Sequence, residues 1–289
     1  MMSDESRKGP AICKSPFPKS PSSGKSAIHN PKSAIPLVNP YETPRLVQEY
    51  LLFHYGRQED LLPWETGPVS AWGFPIRAVT ENLEPGATGD RALDLGCAVG
   101  RSSFELARTH REVIGIDFSH AFIAAARHLA EKGPLPYTYT EEGTLTREAL
   151  AEPPVGVDKS RLRFEQGDAT ELRPDLGAFD TVLAANLLCR LPEPRRALAR
   201  FPELVKPGGR LIITSPYTWL EEYTPRGHWL GGYDGEAGPV RSLDGLKAAL
   251  EPRFTLTATR ELPFLIREHA RKYQWSVAQA TVWTRSGSG

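Results

Sequence analysis

From Arg91 onward, apolar runs alternate with segments of helical period. "RALDLG" precedes a helical pattern over 101–109, and "EVIGID" precedes one over 121–131. "RLRFEQGD" follows, then "FDTVLAAN" before a pattern over 194–204 and "GRLIITSP" before one over 242–250. A strand, a helix and a further strand form a unit whose two strands lie parallel, so the alternation constrains the chain to a parallel sheet with helices on both faces. At the end, "FTLTATRELPFLIREH" and "YQWSVAQATVWTR" read as two strands with no helix of any length between them, hence an antiparallel pair at a sheet edge. The expected class is α/β, with a seven-stranded, mostly parallel sheet that carries an antiparallel edge strand.

Residues 1–38 are rich in Ser, Pro and Lys without an apolar period, and are expected to form a disordered leader. Helical spacing then places Leu46, Val47, Tyr50, Leu51 and His54 on one face, with Thr43 as N-cap and Pro44 at the first helical position. Within a single domain over 39–289, residues 39–90 read as an N-terminal helical cap and 91–215 as the ligand-binding core. Residues 216–285 read as an insert followed by the two C-terminal strands. The segments 134–160 and 216–240 exceed ordinary connections and are expected to be lids or site walls.

The 35 Lys and Arg balance the 35 Asp and Glu, which removes the field that attracts a polyanion or an anionic membrane surface. No apolar run reaches the roughly 18 residues of a membrane span. Cys13, Cys97 and Cys189 are widely separated and follow no metal-ligand spacing. A reduced, cytoplasmic protein is expected, without metal, nucleic-acid or membrane partners.

In "LDLGCAVGRSS", Leu93 and Leu95 end a strand, Gly96 permits a tight turn and Gly100 stands where the next helix begins close to a ligand. A helix start offers free N–H donors to an electronegative group. The pattern is a strand acid followed by G-x-x-x-G, and Ala98 occupies the place of the glycine that faces a pyrophosphate in G-x-G-x-x-G. A smaller anion, such as a carboxylate, is therefore expected there. Asp117 ends the second strand and is placed to accept from ribose hydroxyls. Asp168 ends the third, placed to accept from an adenine amino group with Ala169 behind the ring, and Asn186 ends the fourth. Cys97, Phe118 and Leu187 adjoin these positions. Polar groups at four strand ends on one sheet edge define a candidate nucleoside site.

The segments "LDLGCAVG", "IGIDFS", "EQGDA", "VLAANLL" and "LVKPGGRLIITSP" resemble, in order, the motifs of class I S-adenosylmethionine-dependent methyltransferases over about residues 91–216. The resemblance implies a Rossmann-like fold, S-adenosyl-L-methionine as cofactor and S-adenosyl-L-homocysteine as its product. It implies that Asp94, Gly96 and Gly100 hold the methionine end, Asp117 the ribose, Asp168 and Ala169 the adenine, and that Asn186 lines the site near the sulfonium. The flanks "EYLLFHYG", "AANLLCRLP", "SPYTWLEEYTPRGHWLGG" and "FLIREHARKYQWSVAQATVW" resemble the methyltransferase domain at the C-terminal end of ovothiol synthases, a mercaptohistidine N-methyltransferase, expected here as a stand-alone protein. That resemblance implies a small histidine-derived acceptor, 5-thiohistidine or 5-selenohistidine, methylated on a ring nitrogen. It also implies a sulfoxide synthase or related enzyme as the supplier of that acceptor.

An amino-acid acceptor needs a cation for its carboxylate, an acid for its ammonium and an aromatic face for its ring. Arg267 or Arg271, Glu221 or Glu268, and Tyr217 or Trp219 are the candidates, with Tyr55, His269 and Tyr273 beside them. His54, Asn186 and Tyr217 are the candidates to orient the ring or remove a proton. Three other readings remain open: a methyltransferase with a different amine or acid acceptor, a non-catalytic nucleoside-binding module, and a nicotinamide-dependent reductase. The missing middle glycine counts against the last.

Overall fold

The computed structural model describes residues 39–287 apart from residue 252; the expected leader and Cys13 lie outside the described residues. The strands are β1 (Gly89–Leu95), β2 (His110–Asp117), β3 (Leu135–Glu142), β4 (Leu145–Ala151), β5 (Leu162–Gln166), β6 (Phe179–Ala185), β7 (Val205–Ser215), β8 (Tyr233–Gly235), β9 (Gly238–Val240), β10 (Phe254–His269) and β11 (Lys272–Arg285). Seven of them form one sheet in the order β10-β11-β7-β6-β1-β2-β5. The five strands from β7 to β5 pair in parallel, and β11 pairs antiparallel with both β7 and β10. The antiparallel pair closes one end of the sheet as expected; β11 lies inside and β10 takes the edge.

The helices are α1 (Pro44–Tyr55), α2 (Gln58–Leu61), α3 (Phe74–Thr80), α4 (Arg101–Leu106), α5 (His120–Glu131), α6 (Pro194–Leu204) and α7 (Ser242–Leu250). Thr43 caps α1 by accepting from the Leu46 amide, with Pro44 at the first position. Successive strand residues point to opposite faces, so each strand feeds two cores. Ala92, Val113, Leu183 and Ile212 pack with Phe104 of α4 and Phe122 of α5. Leu93, Ile114, Val182 and Leu211 pack with Phe201 of α6 and Leu246 of α7.

Two features position the site. First, β11 pairs with β7 only from Gln279, opposite Ser215, to Thr284, so the rest of the β10–β11 hairpin projects beyond the C-terminal end of β7. Phe264 on that projection meets Phe74 of α3 with ring centroids 5.1 Å apart, and Phe53 of α1 at 6.2 Å. Second, the expected lid at 134–160 is a two-stranded hairpin, β3–β4, whose inner face is buried. Tyr137 and Tyr139 pack into the core beside α1, and Thr138 donates to Gln48 at 2.8 Å. The alternation of "YTYT" turns its aromatics inward, which makes the hairpin a buttress behind α1 and not a lid.

Candidate functional site

The C-terminal ends of β1, β2, β5 and β6 open onto a cavity of about 690 Å³, within the range of small-molecule sites, about 300–1,000 Å³. Its floor holds Asp94, Gly96, Asp117, Asp168 and Asn186 from four strand ends. Asp94 is buried, and accepts the Ser103 hydroxyl at 2.6 Å. Burial pushes its carboxyl up to about 7, the neighbouring Asp117 adds to the rise, and the Ser103 hydroxyl opposes it. Asp117 accepts from the Ala98 amide at 2.9 Å and the Ser119 amide at 2.8 Å. Burial raises its carboxyl above the usual range, against those amides. A carboxylate has about four acceptor sites, so two amides leave capacity for a ligand diol. Asp168 engages Thr170 through one oxygen only, at 2.7 Å from both amide and hydroxyl. Cys97, Phe118, Ala169 and Leu187 complete this part of the lining.

The turn after β1 departs from expectation in two ways. Gly96 and Gly100 both hold positive φ, +76° and +89°, where side chains other than glycine are strained. Gly96 lines the cavity, but Gly100 does not: a Cβ there would come within 2.8 Å of the Phe164 ring, so this glycine serves helix-to-sheet packing. The turn amides are also largely committed. Those of Gly96 and Cys97 donate to Ile116 O, that of Ala98 to Asp117, and that of Gly100 to Cys97 O. Four of the turn's amides are therefore spent on the end of β2 and on the loop itself, which leaves the first amides of α4 for the electronegative group expected there.

Asn186 sits at φ +52°, a left-handed conformation that asparagine tolerates. The Thr214 hydroxyl donates to its Oδ1 at 2.9 Å, and its Nδ2 has no protein partner among the described residues. His54 also lines the cavity, and its buried Nδ1 likewise lacks a partner. Burial, and then the Arg101 guanidinium, pull its pKa down to about 3, so the ring is neutral.

Most residues expected at the acceptor lie elsewhere. Tyr55 donates to Val99 O at 2.8 Å, behind the first turn. Tyr217, at φ +52°, directs its hydroxyl to Gln279 of β11 at 3.0 Å, away from the cavity. Trp219 is buried against Trp229 and donates to Ser242 at 2.8 Å. Glu221 is exposed outside the cavity, and its neighbour Glu222 lines the mouth instead. Arg267 is buried between Asp60 O and Glu141, over the Tyr139 ring. Glu268 pairs with Lys272 at 2.7 Å, which with Gln274 holds its carboxyl below the usual range. His269 accepts from the Arg271 amide, Arg271 lies over Trp64, and Tyr273 donates to Ala270 O. The segment "REHARK" is thus the tip of the β10–β11 hairpin, tied to itself and to β3–β4.

The structure supplies other residues in their place. Tyr50, Phe53 and His54 of α1 line the cavity with Phe74, Phe264 and Ile266. Arg190, in the turn after β6, and Tyr223, in the insert after β7, line it from the far side. Tyr41 closes the top, where the Ser119 hydroxyl donates to its carbonyl at 2.9 Å. Glu42 beside it accepts the His120 and Ala121 amides at the start of α5. The helical spacing of Tyr50 and His54 had marked the right face of α1. Nothing local marked Arg190, which reads in sequence as one polar residue among apolar ones.

The strand order defines a doubly wound sheet, and the acids at its strand ends form a candidate nucleoside site. Residues 93–213 match the family described as a methyltransferase domain. The chain is 32% identical over 136 residues to a demethylmenaquinone methyltransferase of Clavibacter sepedonicus, covering 47% of this chain and 44% of that protein. It is 30% identical over 142 residues to a ubiquinone biosynthesis O-methyltransferase of Pseudomonas aeruginosa (strain LESB58), covering 49% of this chain and 50% of that protein. The chain thus spans about half the length of the curated relatives it matches. A solved N-methyltransferase, NodS of Bradyrhizobium japonicum WM9, is similar over 73% of this chain and 94% of its own at 16% identity, with a TM-score of 0.47. Among the described residues no helix is long and apolar enough to cross a membrane.

Proposed function

We propose that the protein transfers a methyl group from S-adenosylmethionine to an imidazole ring nitrogen of 5-thiohistidine or of its selenium analogue. The observation that carries this reading is His54: a neutral imidazole lining an aromatic-walled cavity that also holds the free amide of Asn186. Asp94, Asp117 and Asp168 would hold the cofactor's ammonium, ribose and adenine. When bound, the cofactor supplies an electrophilic methyl group, which the ring nitrogen's lone pair takes as the sulfur–carbon electrons return to sulfur.

The residues position more than they activate. Tyr50, Phe53, Phe74 and Phe264 give a flat ring apolar faces and exclude water. Asn186 Nδ2 is a donor suited to the acceptor's anionic chalcogen. That anion balances the charge on a ring methylated at one nitrogen, so the attacking nitrogen needs a lone pair and no strong base. His54, with its low pKa, is a hydrogen-bonding partner for the other ring nitrogen and adds no positive charge beside a sulfonium. The supplier implied for such an acceptor is an enzyme that installs the chalcogen on histidine.

The test is to incubate the protein with S-adenosylmethionine and histidine, 5-thiohistidine or 5-selenohistidine, and to locate the methyl group by mass-spectrometric fragmentation. Ring-nitrogen methylation of a chalcogen-bearing histidine, and not of histidine, supports the reading. A second reading, a quinol or phenol acceptor, draws on the names of the relatives and on the apolar wall built by Phe53, Phe74, Phe264 and Ile266. Product from a demethylated quinol and none from the three histidines would replace the first reading with the second.

A further inference from the structure

Among the described residues, Arg190 is the only arginine or lysine that lines the cavity. It ends the short turn after β6, Leu188–Arg190, and is half-buried. Its Nη1 donates to the carbonyls of Cys189 at 3.3 Å and Thr218 at 3.2 Å, and the guanidinium lies 4.7 Å from the centre of the Tyr223 ring. No carboxylate stands within ion-pair distance of it among the described residues, whereas most other arginines of the fold have one, including Arg91 with Glu112 and Arg101 with Glu105. The Tyr41 and Tyr223 phenols flank it.

A guanidinium taken partly out of water without a counter-charge is unfavourable, and its planar fork matches a carboxylate in two parallel hydrogen bonds. The two carbonyls hold one end of the fork and the Tyr223 face holds its plane, which leaves the remaining N–H groups for a ligand. Phenol hydroxyls beside it can donate to the same anion. Glu222 lines the same mouth and supplies the opposite charge.

We infer that Arg190 is the anchor for the carboxylate of the acceptor, with Tyr41 and Tyr223 as added donors, so that the site selects an α-amino acid over the corresponding amine. The inference rests on the proposed transfer to a histidine-derived acceptor at this same cavity. It assigns to Arg190 the part that the sequence offered to Arg267 or Arg271. It also makes the acceptor a bridge between the 39–42 segment, the turn after β6 and the insert after β7.

The experiment is calorimetry on the full chain saturated with S-adenosylhomocysteine, titrated with 5-thiohistidine and with its decarboxylated amine. Wild type is expected to prefer the amino acid by about 10- to 100-fold, the usual reach of a charged hydrogen-bonded pair. Arg190→Gln is expected to lose that preference with S-adenosylhomocysteine affinity unchanged, and Arg190→Lys to keep part of it. In turnover, the Arg190→Gln effect should fall on acceptor KM and leave kcat nearly as it was. Equal binding of acid and amine to wild type overturns the inference, as does a preference that survives Arg190→Gln. A loss of cofactor affinity in Arg190→Gln overturns it too, because the anchor would then serve the cofactor's own carboxylate. Should wild type bind neither histidine compound, the thiohistidine reading falls and benzoate decides the anchor. Benzoate binding to wild type but not to Arg190→Gln retains the anion subsite, and binding to neither or to both removes it.

Discussion

Ser103, in the first turn of α4, donates its hydroxyl across 2.6 Å to Asp94 at the end of β1, and both side chains are buried. That bond is the main support for a carboxyl whose burial pushes it up from 3.8 to about 7. With its folded pKa raised, Asp94 binds more proton in the folded state than in the unfolded between these values. Its contribution to the stability of the free protein is therefore present at low pH and lost as pH rises through about 7. Asp94→Asn is expected to flatten that part of the melting-temperature profile against pH. If Asp94 holds the cofactor's ammonium as proposed, the bond requires the carboxylate, and S-adenosylhomocysteine affinity should fall by up to about tenfold per pH unit below that pKa, the slope of one proton. Titrations at a series of pH values check this, and an affinity flat through neutrality would contradict it.

His54 should give no inflection to the pH–rate profile near the ordinary histidine range, since burial holds its pKa at about 3. His54→Gln is expected to raise acceptor KM and to leave the shape of the profile between about pH 6 and pH 9 unchanged. A wild-type inflection near 6.5 that vanishes in the variant would make His54 a proton carrier instead.

Gly100→Ala meets both a positive φ and the Phe164 ring. A loss of about 2 kcal/mol or more in denaturant unfolding is expected, the sum of backbone strain and overpacking. Gly96→Ala places its Cβ within 2.9 Å of Leu187 in the cavity lining. It should weaken cofactor binding as well, and parallel titrations of the two variants separate these outcomes.

Trp219→Ala is expected to cost about 3–5 kcal/mol of stability, as for other buried aromatics, because Trp219 stacks on Trp229 and bonds Ser242 inside the core. Tyr217→Phe removes one hydroxyl bond to Gln279 and should cost about 1 kcal/mol, with turnover unchanged. Denaturant midpoints and steady-state kinetics on both variants decide whether either residue touches the acceptor.

The parallel half of the fold was legible because each of its strands has its own apolar run, and each acid follows its run at a fixed place. Asp94, Asp117, Asp168 and Asn186 reach one cavity for that reason. The acceptor wall was not legible in this way. Arg267 carries the same charge as Arg190, yet tertiary pairing decides their fates: Glu141 and Asp60 bury the first, and the turn after β6 leaves the second facing open space. Gly100 illustrates a different limit, since a glycine demanded by Phe164, which lies 64 positions later, has the same letter as one demanded by a ligand.

The hairpin that projects past β7 comes from the last strands of the sheet, and α1, which it meets through Phe53 and Phe264, precedes the first. During synthesis the strand ends of β1, β2, β5 and β6 are therefore complete in sequence before the hairpin's part of the cavity wall exists, and that wall closes only when the two ends of the fold meet. Changes on either side of the Phe53–Phe264 contact can reshape that wall while Asp94, Asp117 and Asp168 keep their places at the strand ends. The Phe53 and Phe264 side of the wall and the acids at the strand ends are in this sense inherited on separate stretches of the chain.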